Sequence, residues 1–176
     1  MKKLLTLRNV LVCGGALFAL VAFILAAACG AKVTYNGWGG ESDVLYQGAV
    51  FGSGSRGAAV LPLIGAILIM VGLVCALVIA LFGDRFLKDE KIRMIALLVA
   101  AGLIVLGGVF LFFIKDGLAE ARAKEIGYNT TKADVLSTWS HGTFEAAGIV
   151  IGGVLAVLGG LSICCSQFVK DKQLLK

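Results

Sequence analysis

The chain has 176 residues, 59% of them apolar and 15% charged, with 24 Gly, one Pro and a net charge of +5. Soluble domains are about half apolar and a quarter charged, so this composition cannot cover a water-facing surface, and its apolar content excludes disorder. Nucleic-acid binding would need the basic charge clustered on one face; a mean hydropathy of +0.96 points instead to an integral membrane protein whose surroundings are a lipid bilayer, with no nucleic-acid partner.

Charged residues punctuate the sequence, and the gaps between them are long. Twenty-three uncharged residues separate Arg8 from Lys32, 27 separate Arg56 from Asp84, 21 separate Arg93 from Lys115 and 24 separate Glu145 from Lys170. A helix needs about 20 apolar residues to cross a hydrocarbon core of about 30 Å. The chain therefore predicts a single all-α membrane domain, a four-helix transmembrane bundle (tetraspan) with spans at 9–29, 60–83, 93–115 and 145–168. Outer loops then cover 30–59 and 116–144, and an inner loop covers 84–92. A β-barrel is excluded, because its strands alternate apolar and polar residues over about 10 positions.

Lys and Arg in the short loops set the orientation. With the N-terminus cytoplasmic, the inner segments hold ten basic residues (Lys2, Lys3, Arg8, Arg85, Lys88, Lys91, Arg93, Lys170, Lys172 and Lys176) against four acidic ones. The longer outer loops hold six against seven. The excess resolves into +6 inside and −1 outside, which predicts a multi-pass cell-membrane protein with both termini cytoplasmic.

The first span has a second reading. Met1 to Cys29 resembles a bacterial lipoprotein signal, with a basic start, an apolar centre and the ending Leu25-Ala26-Ala27-Ala28-Cys29-Gly30. That resemblance implies cleavage of residues 1–28 and lipidation of Cys29. However, Ala26 stands where such signals favour Leu, and the apolar run exceeds the 7–15 residues usual for a secretory signal. The span is expected to be retained.

In the first outer loop, Lys32 to Asn36 alternates and Val44 to Phe51 is β-prone, with Asn36-Gly37 and Gly39-Gly40 as turn chemistry between them. This predicts a small hairpin, followed by a flexible approach at Gly52 to Ser55. Pro62 falls in the first turn of the second helix, where a missing N–H costs nothing. The inner loop, dense in mixed charge, reads as a solvated turn. In the second outer loop, Gly117 to Glu125 suits a helix, with Glu120 and Lys124 at i, i+4, so the third helix is expected to continue past the membrane until Gly127. Thr131 and Asp134 form a capping-box-like start for a short interfacial helix through Trp139.

Several groups are candidates for function. Trp38, Tyr46, Tyr128 and Trp139 fall on the outer side, as an aromatic belt or, for Trp38, Tyr46 and Trp139, as a partner-binding patch. His141 and Glu145 share a face if the fourth helix begins early enough, giving an interfacial polar pair or the start of a metal or pH-sensitive site. Vicinal Cys164 and Cys165 are weak evidence for a metal, because no His or further ligand accompanies them, and a charge pair alone does not make an enzyme, so no metal, cofactor or catalytic residue is assigned. Asn129-Thr130-Thr131 is a glycosylation sequon of little weight in the bacterial source expected here. The five cysteines, including vicinal Cys164 and Cys165, read as small apolar residues. None of the spans holds an interior ionisable residue, which argues against proton-coupled carriers, pumps and voltage sensors. Gly148, Gly152, Ala156 and Gly159 make one small-residue stripe on the fourth helix, suited to close packing within the bundle or between copies.

In plan the chain resembles the claudin-like tetraspan proteins, which also have a sheet-forming first outer loop and a short inner turn. Their Trp-based signature with two loop cysteines is not matched by Tyr35-Asn36-Gly37-Trp38-Gly39-Gly40-Glu41, so no family residue is carried over. The expected function is non-enzymatic: an interaction or scaffold protein, or a membrane-complex subunit. The alternative is a small-molecule or lipid carrier or channel subunit working as an oligomer.

Overall fold

A computed structural model describes residues 7–37, 40–52, 57–86, 89–127 and 129–169. Four long apolar helices, α1 (Leu7–Ala28), α2 (Val60–Phe86), α3 (Glu90–Leu111) and α6 (Ala147–Ser166), carry most of it. Each is long and apolar enough to cross a membrane. Between them lie β1 (Ala31–Gly37), β2 (Gly40–Tyr46), α4 (Ile114–Ile126), α5 (Lys132–Trp139) and β3 (Thr143–Glu145). The helices close a ring in which α1 packs on α6, α6 on α3, α3 on α2 and α2 on α1.

A soluble bundle buries most of its Leu, Ile, Val and Phe; this one buries Ile69, Leu97, Ile104, Ile149 and Ile163 but leaves many other large apolar side chains facing outward. Here Ala19, Ala22, Ala66, Ala76, Ala100 and Ala156 are buried, while Leu17, Ile24, Ile67, Val74, Val99 and Leu158 are exposed. Small residues let the backbones approach closely. A Cβ added at Gly15 of α1 would fall 2.5 Å from the Gly159 carbonyl oxygen of α6, and one at Gly159 would fall 2.6 Å from that of Gly15. Gly65 of α2 and Gly107 of α3 face each other in the same reciprocal way, as do Gly108 of α3 and Gly153 of α6. The ring of large apolar side chains left outside is compatible with a multi-pass membrane protein.

The stripe expected along α6 divides between two neighbours. Gly148 lies against Cys29, Gly152 against the Ala22 carbonyl and Gly159 against Gly15, so these three face α1. Ala156 instead meets Gly108 of α3. At about 100° per residue, successive steps of four drift around the helix, and α6 stands at the corner between α1 and α3. Its second seam, Gly153 and Gly160, faces α3 beside Ala156.

Helix boundaries depart from the sequence reading for local reasons. The third helix starts at Glu90 because the Asp89 carboxylate accepts the Lys91 N–H at 2.9 Å and caps it. It does not run on into the segment that follows it. The N–H groups of Phe112 and Phe113 bond back three residues, to Val109 and Phe110, closing a tight turn, and α4 sets off separately. There Gly117 admits Ala59 and Pro62 from the start of α2, while Ile114, Leu118 and Ala119 are buried. Gly127, at φ +64°, ends α4.

The expected hairpin is present as part of a three-stranded antiparallel sheet in the order β2-β1-β3, whose third strand was not foreseen. β2 is earlier than predicted: Gly48, at φ +60°, turns the chain after Tyr46, a conformation that suits glycine. α6 begins at Ala147, and β3 takes Glu145, which was to open the fourth helix. Its Thr-Phe-Glu run sets Phe144 opposite Val33 and Glu145 opposite Lys32, while Val44 meets Val33 from the other side. Val33, in the centre, is fully buried. A one-residue slip would turn that row outward.

Candidate functional site: the cap layer over the bundle

At the end of the bundle where α1 finishes and α6 begins, the sheet, α4 and α5 form a cap layer. An aromatic knot holds it together. Trp139, at the end of α5, stacks on Phe144 of β3 at 6.1 Å between centroids and meets the edge of Tyr46 of β2, also at 6.1 Å. Trp139 is 4% exposed and Tyr46 6%, so neither belongs to an exposed belt or patch as the sequence suggested. Their amphipathic rings are spent on joining the segment between α1 and α2 to the one between α3 and α6. Phe144, which the sequence reading passed over, completes the knot. A β-prone triplet between Gly142 and Ala146 was its only signal. Trp38 and Tyr128 lie outside the described residues.

α5 is fixed at its other end by chemistry legible in the sequence. The Thr131 hydroxyl accepts the Asp134 N–H at 3.3 Å, and Asp134 Oδ2 accepts both the Thr131 N–H and hydroxyl at 2.7 Å. These bonds, the hydroxyl's first and the backbone's second, hold the Asp134 carboxyl below its ordinary range. Lys132 pairs with Asp116 at 2.7 Å and so ties α5 to the start of α4. On α4, Lys124 bonds Glu120 at 2.8 Å, and that bond, followed by the lysine's charge, lowers the Glu120 pKa. Glu125 accepts the Gly57 N–H at 2.9 Å and the Arg122 guanidinium at 3.0 Å, anchoring the segment that enters α2.

The cap layer carries two clefts. One, of about 150 Å³, has an apolar floor of Val44, Tyr46, Val135 and Trp139 beneath a polar rim that includes Arg122 and Asp134. The other, of about 310 Å³, lies where α4 meets the start of α2 and is rimmed by Glu120, Lys124 and Glu125.

His141 and Glu145 are both exposed, but the first is in a turn and the second on β3, because α6 begins only at Ala147. Their spacing is not that of a helix face. Among the described residues no three His, Cys, Asp or Glu side chains are placed to share a metal ion. All five cysteines are free, with Cys29 in the short link after α1, its sulfur against Gly148.

The fold thus defines a mostly helical chain with four helices of membrane-spanning length and a small three-stranded sheet. Among known proteins, no family model matches the chain and no curated protein matches it.

Proposed function

We propose that this is a tetraspan protein of the cell membrane, with both termini cytoplasmic, that works without catalysis by presenting its cap layer to a partner. The carrying observation is the knot of Tyr46, Trp139 and Phe144. It makes one pre-ordered surface from two separate outer segments, and a surface ordered before binding loses less entropy on association. The outward apolar ring supports membrane embedding, and the charge asymmetry of the loops supports the orientation. His141, Thr143 and Glu145 are exposed on the cap layer and form the proposed contact surface, with Trp38 beside β1 in sequence.

Photo-crosslinkers at His141 and Thr143, compared with one at the outward Ile151 of α6, test the reading in native membranes. A discrete adduct is expected from the two cap positions, absent at Ile151 and lost when Trp139→Ala loosens the knot. Solute or ion flux through liposomes holding the purified chain, with no cap-specific adduct, would overturn it in favour of a carrier or channel subunit.

A further inference from the structure

We propose that the cleft at the opposite end of the bundle binds the phosphate group of an anionic phospholipid. This rests on the membrane reading above. The cleft, of about 200 Å³, lies between α1, α3 and the end of α6 and is lined by Arg8, Glu90, Lys91, Met94 and Gln167.

Arg8 is held ready for a ligand. Its Nη2 donates to Gln167 Oε1 at 3.2 Å. Gln167 Nε2 donates to Ser166 Oγ at 2.6 Å, and the Ser166 hydroxyl donates to the Ile163 carbonyl at 2.6 Å. The guanidinium is thus referenced to the backbone of α6, with its side chain 18% exposed. Its carboxylate partner is a poor one: Glu90 stands 3.9 Å away and is 88% exposed, a geometry that contributes little and leaves the cation able to take a better anion. A phosphate diester is that anion, since guanidinium matches it with two parallel hydrogen bonds.

Other features favour the same ligand. Lys91 adds a second cation, and the cleft opens at the N-terminal end of α3, where the helix dipole favours negative charge although Asp89 already caps the Lys91 amide. Met94 gives an apolar wall on the side of the bundle, where the glycerol and first acyl carbons of a lipid would lie. Basic pockets between membrane helices on the cytoplasmic side are suited to anionic headgroups.

The test uses the full chain in nanodiscs of phosphatidylcholine, with and without phosphatidylglycerol, reading bound lipid by native mass spectrometry and the melting temperature by circular dichroism. Wild type should retain phosphatidylglycerol and melt higher in its presence. Arg8→Gln with Lys91→Gln should lose the shift and hold the lipid on the order of tenfold more weakly, equivalent to about 1.4 kcal/mol. Arg8→Lys should retain part of it, which separates lost charge from lost folding. Lys124→Gln with Lys132→Gln, removing equal charge from the cap layer, should leave both the lipid retention and the lipid-induced rise in melting temperature as in wild type. The proposal is overturned if the Arg8 and Lys91 pair of substitutions retains lipid as wild type does, if the cap-layer pair loses it equally, or if millimolar inorganic phosphate displaces it. Extraction of wild type by alkaline carbonate would instead refute the membrane reading itself; resistance to carbonate with unaltered lipid retention would refute the cleft alone.

Discussion

Gly14 and Gly15 are neighbours in α1, yet one methyl group should have opposite consequences at the two positions. A Cβ at Gly14 meets nothing within 4 Å. At Gly15 it would fall 2.5 Å from the Gly159 carbonyl oxygen and 2.7 Å from Ile163 Cγ1. Ordinary contact begins at 3.4 Å, so α1 and α6 must separate locally by about 0.9 Å. A gap of roughly 0.5–1 Å forfeits a quarter to a half of the dispersion attraction across it, and inserting a methyl into a packed interior costs about 1–3 kcal/mol. Relief of glycine's backbone entropy returns at most about 1 kcal/mol and is common to both sites. Gly15→Ala should therefore melt several degrees below wild type, at roughly 2–4 °C per kcal/mol for this chain length, while Gly14→Ala melts at or slightly above it. Thermal unfolding in detergent followed by circular dichroism makes the comparison. Equal melting temperatures for the two variants would refute the close contact between α1 and α6.

Three further perturbations address the cap layer. Trp139→Ala empties the aromatic knot and should cost about 3–5 kcal/mol locally, seen as proteolytic cleavage within 129–146 while the long helices stay protected. Acid should loosen α5 through Asp134. Its carboxyl is lowered from the ordinary 3.8, so its bonds stabilise the fold fully above that value and are lost as pH falls below it through the folded-state pKa. Trp139 fluorescence in a Trp38→Phe background should report the transition, and Thr131→Ala, removing its largest cause, should shrink it. Lys124→Gln, breaking an exposed i, i+4 pair with Glu120, should change stability by only about 0.2–0.5 kcal/mol, and the small effect should fade in high salt.

The four long helices were legible because each is written locally, as an uninterrupted apolar run between charges. The α5 start was legible for the same reason, since Thr131 and Asp134 are three residues apart. What escaped the sequence was set by distant partners. Thr143 to Glu145 is short enough to be strand or helix, and pairing with β1, more than a hundred positions away, decided it. Tyr46 and Trp139 read as surface aromatics because nothing local reveals that they meet. The stripe on α6 was visible as composition, but its division between α1 and α3 depends on where α6 stands in the ring. Arg8 and Gln167 are separated by almost the whole chain, so no spacing rule would have joined them.

The first and last long helices are fastened twice. At the cap layer β1, which follows α1, pairs with β3, which precedes α6. At the other end Arg8 bonds Gln167, and the Ser162 hydroxyl donates to the Leu11 carbonyl at 3.0 Å. These contacts span more than a hundred positions, and contacts of such separation form late because the intervening chain must first be brought together. On the membrane reading, α1 spends its early life with its glycine face against lipid and its strand unpaired on one edge, until synthesis delivers α6. Closure of the ring is then tied to the arrival of α6. A chain truncated before Thr143 should leave its first three long helices in the membrane with an unfinished sheet, a defined target for quality control.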